Sequence, residues 1–266
     1  HYRVDNVHSS VKSESKVYCV CDEFYEVERF LNEKPELLKK YQQDLLAVQC
    51  ERYCWNFYHI SMDARFGFLQ RMNCDFKRAQ QSELLEEQYF SGYNWKFLQM
   101  VLDDPEKTYQ YFCAEPIVSV ILQQSGCSYK ECIESLRQQT FKCIEIIQAC
   151  GDDIIETISK AKGRYLIFID ENVVYMPELL ERGFKKAFET GAELVVINGK
   201  FESICDSVLE KEPVYLKNHL FVLKEAVFSA ADELNDILSF TLPVLCNRIY
   251  SKEYLEKNNH SDLFQY

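Results

Sequence analysis

Glycine and proline are scarce, at 8 and 6 of 266 residues. This excludes a low-complexity or collagen-like chain and leaves few forced breaks in helices and strands. No C-x-x-C pair occurs among the 12 cysteines. Most cysteines lie in apolar runs such as KCIEIIQAC (142–150), where a free thiol behaves as a small hydrophobe. The spacing argues against a disulfide framework and for a reducing, cytoplasmic compartment. A zinc cluster of Cys19, Cys21, Cys50 and Cys54 departs from the spacing that structural zinc sites prefer. No apolar run approaches the length of a membrane span, and the polar start HYRVDNVHSS lacks the character of a signal peptide. Positive charge is in deficit: 30 Lys and Arg face 42 Asp and Glu, a net charge of −12. Nucleic acid and anionic membranes are therefore disfavoured partners. Dinucleotide and ATP sites are unsupported, since neither G-x-G-x-x-G nor a P-loop is present.

What is present divides into two textures. Residues 22 to about 112 read as helical. Pro35 suits the first turn of a helix through ELLKKYQQDLLAVQCERYCWNFY, with an apolar stripe of Leu37, Leu38, Tyr41, Leu45, Leu46 and Val48. SELLEEQYF reads as a further helix interrupted by Gly92. NWKFLQMVLDD follows, and Pro105 starts EKTYQYFCA. The aromatics Tyr53, Trp55, Phe57, Tyr58, Phe66, Phe68 and Trp95 read as helix-packing core. His59 and His219 read as packing residues rather than ligands.

After Pro116 strands and helices alternate. Strands are expected at 117–124 (IVSVILQQ), 143–150 (CIEIIQAC), 165–170 (YLIFID) and 192–198 (AELVVIN). Between them lie helices in YKECIESLRQQ, capped by Ser128 with Glu131, in DDIIETISKAK, and in PELLERGFKKAFET, closed by Gly191. Such alternation predicts an α/β fold with a mostly parallel, doubly wound sheet. Ligands of these sheets sit outside the carboxyl ends of the strands. That rule singles out Gln124, Cys150 with Asp152 and Asp153, and Asp170 with Asn172. A bland reading stands beside it. Asp170 and Asn172 suit a solvated turn, and Asp152 and Asp153 suit the start of a helix, where negative charge favours the dipole.

The order of motifs resembles a family 2 glycosyltransferase with the GT-A fold. PIVSVILQQSGCSYKECIESLRQQTFKCIEII is similar to the opening of such a domain, and Ser135 to Thr140 (SLRQQT) matches its S-L-x-x-Q-T segment. AKGRYLIFIDEN resembles the strand leading to the D-x-D metal site. PVLCNRIYSKEYLEKN (243–258) resembles the later W-N-K-L-Y-x-x-x-F-L segment, with Cys246 in place of Trp. The likeness covers about 115 to 258. Residues 1–15 resemble the closing Y-R-x-x-x-x-x-S-x-S motif of a preceding domain, and the helical segment resembles the tail that follows one. Two domains are therefore expected, 1–114 and 115–266. The chain then reads as a piece of a tandem transferase, or as one whose Arg3, His8, Ser9 and Ser10 complete a site.

The resemblance implies a UDP-sugar type donor and Mg or Mn held by Asp170 and Asn172. Gln124, Cys150, Asp152 and Asp153 would contact the nucleotide. The cation would neutralise the diphosphate leaving group, and a carboxylate would take the proton of a glycan acceptor. Bacterial surface-polysaccharide synthesis is the implied setting, with partners holding the chain at the inner face of the membrane. Several positions depart from the pattern. Asn172 is neutral where the family has a second acid, and Cys150 stands where the family has an acidic residue. Only 151–163 separate the second strand from the third. No catalytic base is assigned, and Asp262 lies in no matching context. The alternative is a non-catalytic scaffold whose helical segment binds a partner, a neighbouring transferase domain or a second copy.

Overall fold

Prolines open two of the helices in a computed structural model of the chain, which describes residues 17–113, 115–123, 130–149, 154–169, 174–197 and 248–257. The chain forms two units, His1–Glu115 and Pro116–Tyr266.

The first unit is helical. Its elements are α1 (Cys19–Asn32), α2 (Pro35–His59), α3 (Met62–Gln81), a short 3₁₀ turn at Glu87–Tyr89, α4 (Gly92–Asp103) and α5 (Pro105–Cys113). Pro35 and Pro105 occupy first turns, where a missing N–H costs nothing. Aromatic side chains make the core. Phe57, Phe97 and Phe112 join α2, α4 and α5, with ring centroids 5.1–6.0 Å apart. Tyr53 meets Phe68 at 5.5 Å and Phe76 at 5.9 Å, which ties α2 to α3. The buried Tyr53 hydroxyl donates to Asp75 (2.8 Å), which also accepts from Arg71 (2.9 Å). Arg65 is buried too. It donates to the carbonyl of Tyr58 (3.2 Å) and lies 5.2 Å from the centre of the Phe57 ring, where the π face offsets part of its desolvation.

Three expectations for this unit are corrected. SELLEEQYF is not a helix beyond the turn at Glu87–Tyr89. Helix α3 ends just before it. Leu84 N–H bonds back to Ala79 and Glu83 N–H to Gln80, with Glu83 at φ 54°. This is a Schellman stop with glutamate in the place usually taken by glycine. Gly92 opens α4 rather than interrupting a helix, and Ser91 caps it by accepting from Asn94 N–H. Trp55 and His59 are exposed, not core; their rings stack at 3.8 Å.

The second unit is α/β. Its described elements are β1 (Val118–Gln123), α6 (Lys130–Arg137), β2 (Ile144–Ala149), α7 (Ile154–Lys160), β3 (Tyr165–Ile169), α8 (Leu179–Thr190), β4 (Leu194–Val196), β5 (Arg248–Ser251) and α9 (Lys252–Lys257). The sheet order is β2-β1-β3-β5-β4. β1 pairs in parallel with both β2 and β3. β5 runs antiparallel to both β3 and β4, so the sheet is mixed with a parallel core. The expected α/β class is present and the core of the sheet is parallel as expected; β5, which lay outside the expected strands, inserts antiparallel between β3 and β4 and makes the sheet mixed.

The central strands read as buried parallel strands should, as near-continuous apolar runs. Val118, Val120, Ile121 and Leu122 of β1 and Leu166 to Ile169 of β3 are buried. Helix α8 buries Leu180, Gly183, Phe184, Ala187 and Phe188, the i, i+3, i+4 stripe of an amphipathic helix. It stops at Gly191, whose φ of 69° needs a residue without a Cβ penalty, as expected for a C-terminal cap.

Candidate functional site

Parallel pairing aligns three strand ends. In register, Gln123 of β1 stands beside Ala149 of β2, and Leu122 beside Ile169 of β3. From β1 the chain passes through α6 to β2 on one side. From β2 it returns past β1 to β3 on the other. The strand order therefore reverses at β1, and a crevice outside the carboxyl ends is the binding place this topology offers. Gln124, Cys150 and Asp170 each follow directly on one of these ends in the sequence. They lie outside the described residues, as do Asp152, Asp153, Asn172 and the Ser128 cap.

The chain that leaves β3 is held from the next helix over. Ser135 and Gln139, both buried, come from α6 and the turn after it. Gln139 donates to the carbonyl of Met176 (2.7 Å) and accepts from Leu180 N–H (3.1 Å). Ser135 accepts from Tyr175 N–H (3.1 Å) and donates to the Cys132 carbonyl (2.7 Å). Thr140 N–H donates to the Pro177 carbonyl (2.8 Å), and its hydroxyl to Glu181 (2.6 Å). The SLRQQT stretch is thus a polar clamp on residues 175–181. Together with β3 it fixes both flanks of the short span that includes Asp170 and Asn172.

The other end of the sheet holds a second buried polar group. Ser119 of β1 donates to Glu145 of β2 (2.5 Å). Glu145 accepts from Lys162 N–H (2.6 Å), and Ser119 accepts from Gly163 N–H (2.8 Å). A Cβ on Gly163 would lie 2.5 Å from the Ser119 backbone nitrogen. The AKG stretch before β3 is therefore a close backbone approach that starts the strand in register. Lys252 closes the same edge, donating to the Ala161 carbonyl (2.6 Å).

Motif matching found the clamp segment but not its task, and it missed Ser119 and Glu145. The readable signal was a polar side chain inside each of two strongly apolar strands. Among the described residues, no three His, Cys, Asp or Glu stand close enough to share a metal ion. Cys19, Cys21, Cys50 and Cys54 form no such group. Cys21, Cys50 and Cys54 are buried thiols, and burial pushes Cys21 up to about 11. Cys50 is raised as well, by its contact with Cys54 and by burial. Neither is a reactive thiolate. A cavity of about 270 Å³ is lined by Tyr165, Glu193, Ser251, Glu253, Tyr254 and Lys257. It lies at the start of β3, away from the strand carboxyl ends, and its Lys257 and Glu253 already pair at 2.6 Å.

No protein-family model matches the chain, and no curated protein matches it. No described helix is long and apolar enough to cross a membrane.

Proposed function

We propose that the unit from Pro116 onward is a glycosyltransferase-type domain of the family 2 kind, which binds a nucleotide-diphosphate sugar weakly and has lost efficient turnover. The observation that carries this reading is the alignment of the β1, β2 and β3 carboxyl ends at a reversal of strand order. The motif order supports it: the clamp segment, the AKG turn and the Asp170 stretch follow one another as in that family.

The donor set at 170 and 172 is one carboxylate and one amide oxygen. Hard oxygen ligands suit Mg or Mn, and one charge instead of two makes the site weak. A bound cation would supply charge neutralisation at the diphosphate. The protein's own part is to present Asp170 from a span anchored by β3 and by Ser135, Gln139 and Thr140. Acceptors of the polysaccharide class fit the same resemblance.

Titration calorimetry with UDP tests the proposal. Heat is expected with MnCl₂ present and none with EDTA. Absence of heat with UDP and Mn at millimolar concentration overturns it.

A further inference from the structure

Helix α2 carries an exposed row that the sugar-nucleotide reading leaves unused. Leu37, Tyr41, Asp44, Val48, Glu51 and Trp55 follow one another at steps of 4, 3, 4, 3 and 4 residues. That is the a and d spacing of a heptad seam. All six are exposed. The apolar four keep 38% (Leu37), 43% (Tyr41), 48% (Val48) and 42% (Trp55) of their surface open. Over 19 residues the row is about 28 Å long at 1.5 Å per residue.

Other faces of α2 pack into the unit. Cys50, Tyr53, Cys54 and Phe57 are buried, and Leu38, Leu45 and Leu46 are half-buried. Apolar side chains therefore continue beyond the packed faces, while Glu36, Lys39, Lys40 and Arg52 stay exposed beside them. Lys40 rests 4.9 Å from the Tyr41 ring and His59 stacks on Trp55, yet the row stays open.

The carboxylates decide what covers it. A parallel second copy would set Asp44 against Asp44 and Glu51 against Glu51, a repulsion of like charges. An antiparallel copy in the a-to-d register would set Asp44 against Val48 and Glu51 against Tyr41. That sets both carboxylates against apolar side chains, where burying a charge is costly unless it is paired. A helix with Lys or Arg at those two layers satisfies both.

We propose that this face of α2 docks a basic amphipathic helix of another protein. Its apolar residues face Tyr41, Val48 and Trp55, and its Lys or Arg residues face Asp44 and Glu51. The interaction is independent of donor binding by the other unit.

The test uses the full chain with Trp95→Phe, which leaves Trp55 as the sole indole. The probes are two synthetic helical peptides of about 21 residues, three heptads, with Leu at d and either Lys or Glu at a. The Lys peptide should shift Trp55 emission to shorter wavelength and bind about tenfold tighter than the Glu peptide. The double variant Asp44→Lys/Glu51→Lys should invert the preference. Val48→Glu should abolish binding while the thermal melt stays unchanged. If Trp95→Phe does not fold, calorimetric titration of the unaltered chain reads the same ratio. Absence of binding by the Lys peptide, or equal binding of both peptides, overturns the proposal. So does a dimer in light scattering that Val48→Glu disperses, because a second copy then covers the row.

Discussion

The side-chain amide of Gln139 donates to the carbonyl of Met176 at 2.7 Å, across 37 residues of chain. The same amide accepts from Leu180 N–H, and Gln139 is fully buried. One side chain thus satisfies a carbonyl before α8 and an amide in its first turn. Gln139→Leu keeps much of the bulk and removes these bonds, leaving the buried Leu180 N–H unpaired, while the Met176 carbonyl still accepts from Leu179 N–H (3.1 Å). The expected loss is about 1–3 kcal/mol, since an orphaned buried group costs its full desolvation. Urea unfolding of the variant measures it. A loss under ~1 kcal/mol would mean that water replaces the amide, and the clamp would lose its claim to fix residues 175–181.

The clamp also shows how far the sequence could be read. The parallel core was legible because Val118–Gln123, Ile144–Ala149 and Tyr165–Ile169 are apolar, β-branched runs separated by helical periods. Pro35, Pro105 and Gly191 marked helix ends through backbone constraints that hold in any context. Glu83 carried no such mark. Its left-handed backbone stops α3, while the Leu and Glu residues after it favour helix by propensity, so tertiary context prevailed there. β5 is four residues long, too short for a period to show; only its pairing with β3 and β4 makes it a strand. Strand order gave the edge where the candidate residues follow. The polar contacts were not legible, because Ser135 with Tyr175 near that edge and Ser119 with Glu145 at the opposite one join residues far apart in sequence.

Two glycines should respond differently to one added methyl group. At Gly163 a Cβ would meet the Ser119 nitrogen and hydroxyl at 2.5 Å and the Val118 carbonyl carbon at 2.9 Å. Those are strand backbone and a bonded hydroxyl, so relief requires moving β1 from β3. Gly163→Ala should cost about 2–3 kcal/mol, in the range of overpacking. At Gly191 nothing lies within 4 Å, and only the φ of 69° resists a side chain. Gly191→Ala should cost about 1 kcal/mol, the left-handed penalty of an L-residue. Parallel urea titrations give the order. Equal losses would remove the close approach as the reason for glycine in AKG.

Alkaline pH should destabilise the helical unit. Cys21 is buried beside Tyr53, and burial raises its thiol from 9.0 to about 11. Tyr53 is raised too, first by burial and then by its contact with Cys21. Asp75, Arg71 and Asp22 are the charged groups that act on this thiol. Below pH 9 both folded and unfolded chains keep the thiol proton, and its contribution is fully present. Between about 9 and 11 only the unfolded chain gives the proton up, so stability falls as pH rises. The loss from Cys21 is ~2–3 kcal/mol once the folded thiol also ionises. Urea midpoints at pH 8, 9, 10 and 11 trace it. Cys21→Ala should flatten the slope between 9 and 11, whatever its effect at pH 8. An unchanged slope would assign the alkaline loss to other groups.

The proposed cation site can be tested by gain as well as by loss. Asp170 and Asn172 stand two apart, directly after a buried strand whose continuation is clamped by Ser135, Gln139 and Thr140. Asn172 offers a neutral oxygen where a second carboxylate would add a full charge. Affinity for a hard divalent ion rises with the number of charged ligands. Asn172→Asp should therefore tighten Mn-dependent UDP binding about tenfold, and Asp170→Ala should abolish it. Calorimetric titration of the three proteins with UDP at fixed MnCl₂ makes the comparison, with EDTA as the blank. The gain separates two accounts of a weak site. If Asn172→Asp binds no better although Asp170→Ala loses binding, the cation touches Asp170 alone and residue 172 faces elsewhere. If neither change moves the heat, the two positions form an ordinary polar turn at a strand end.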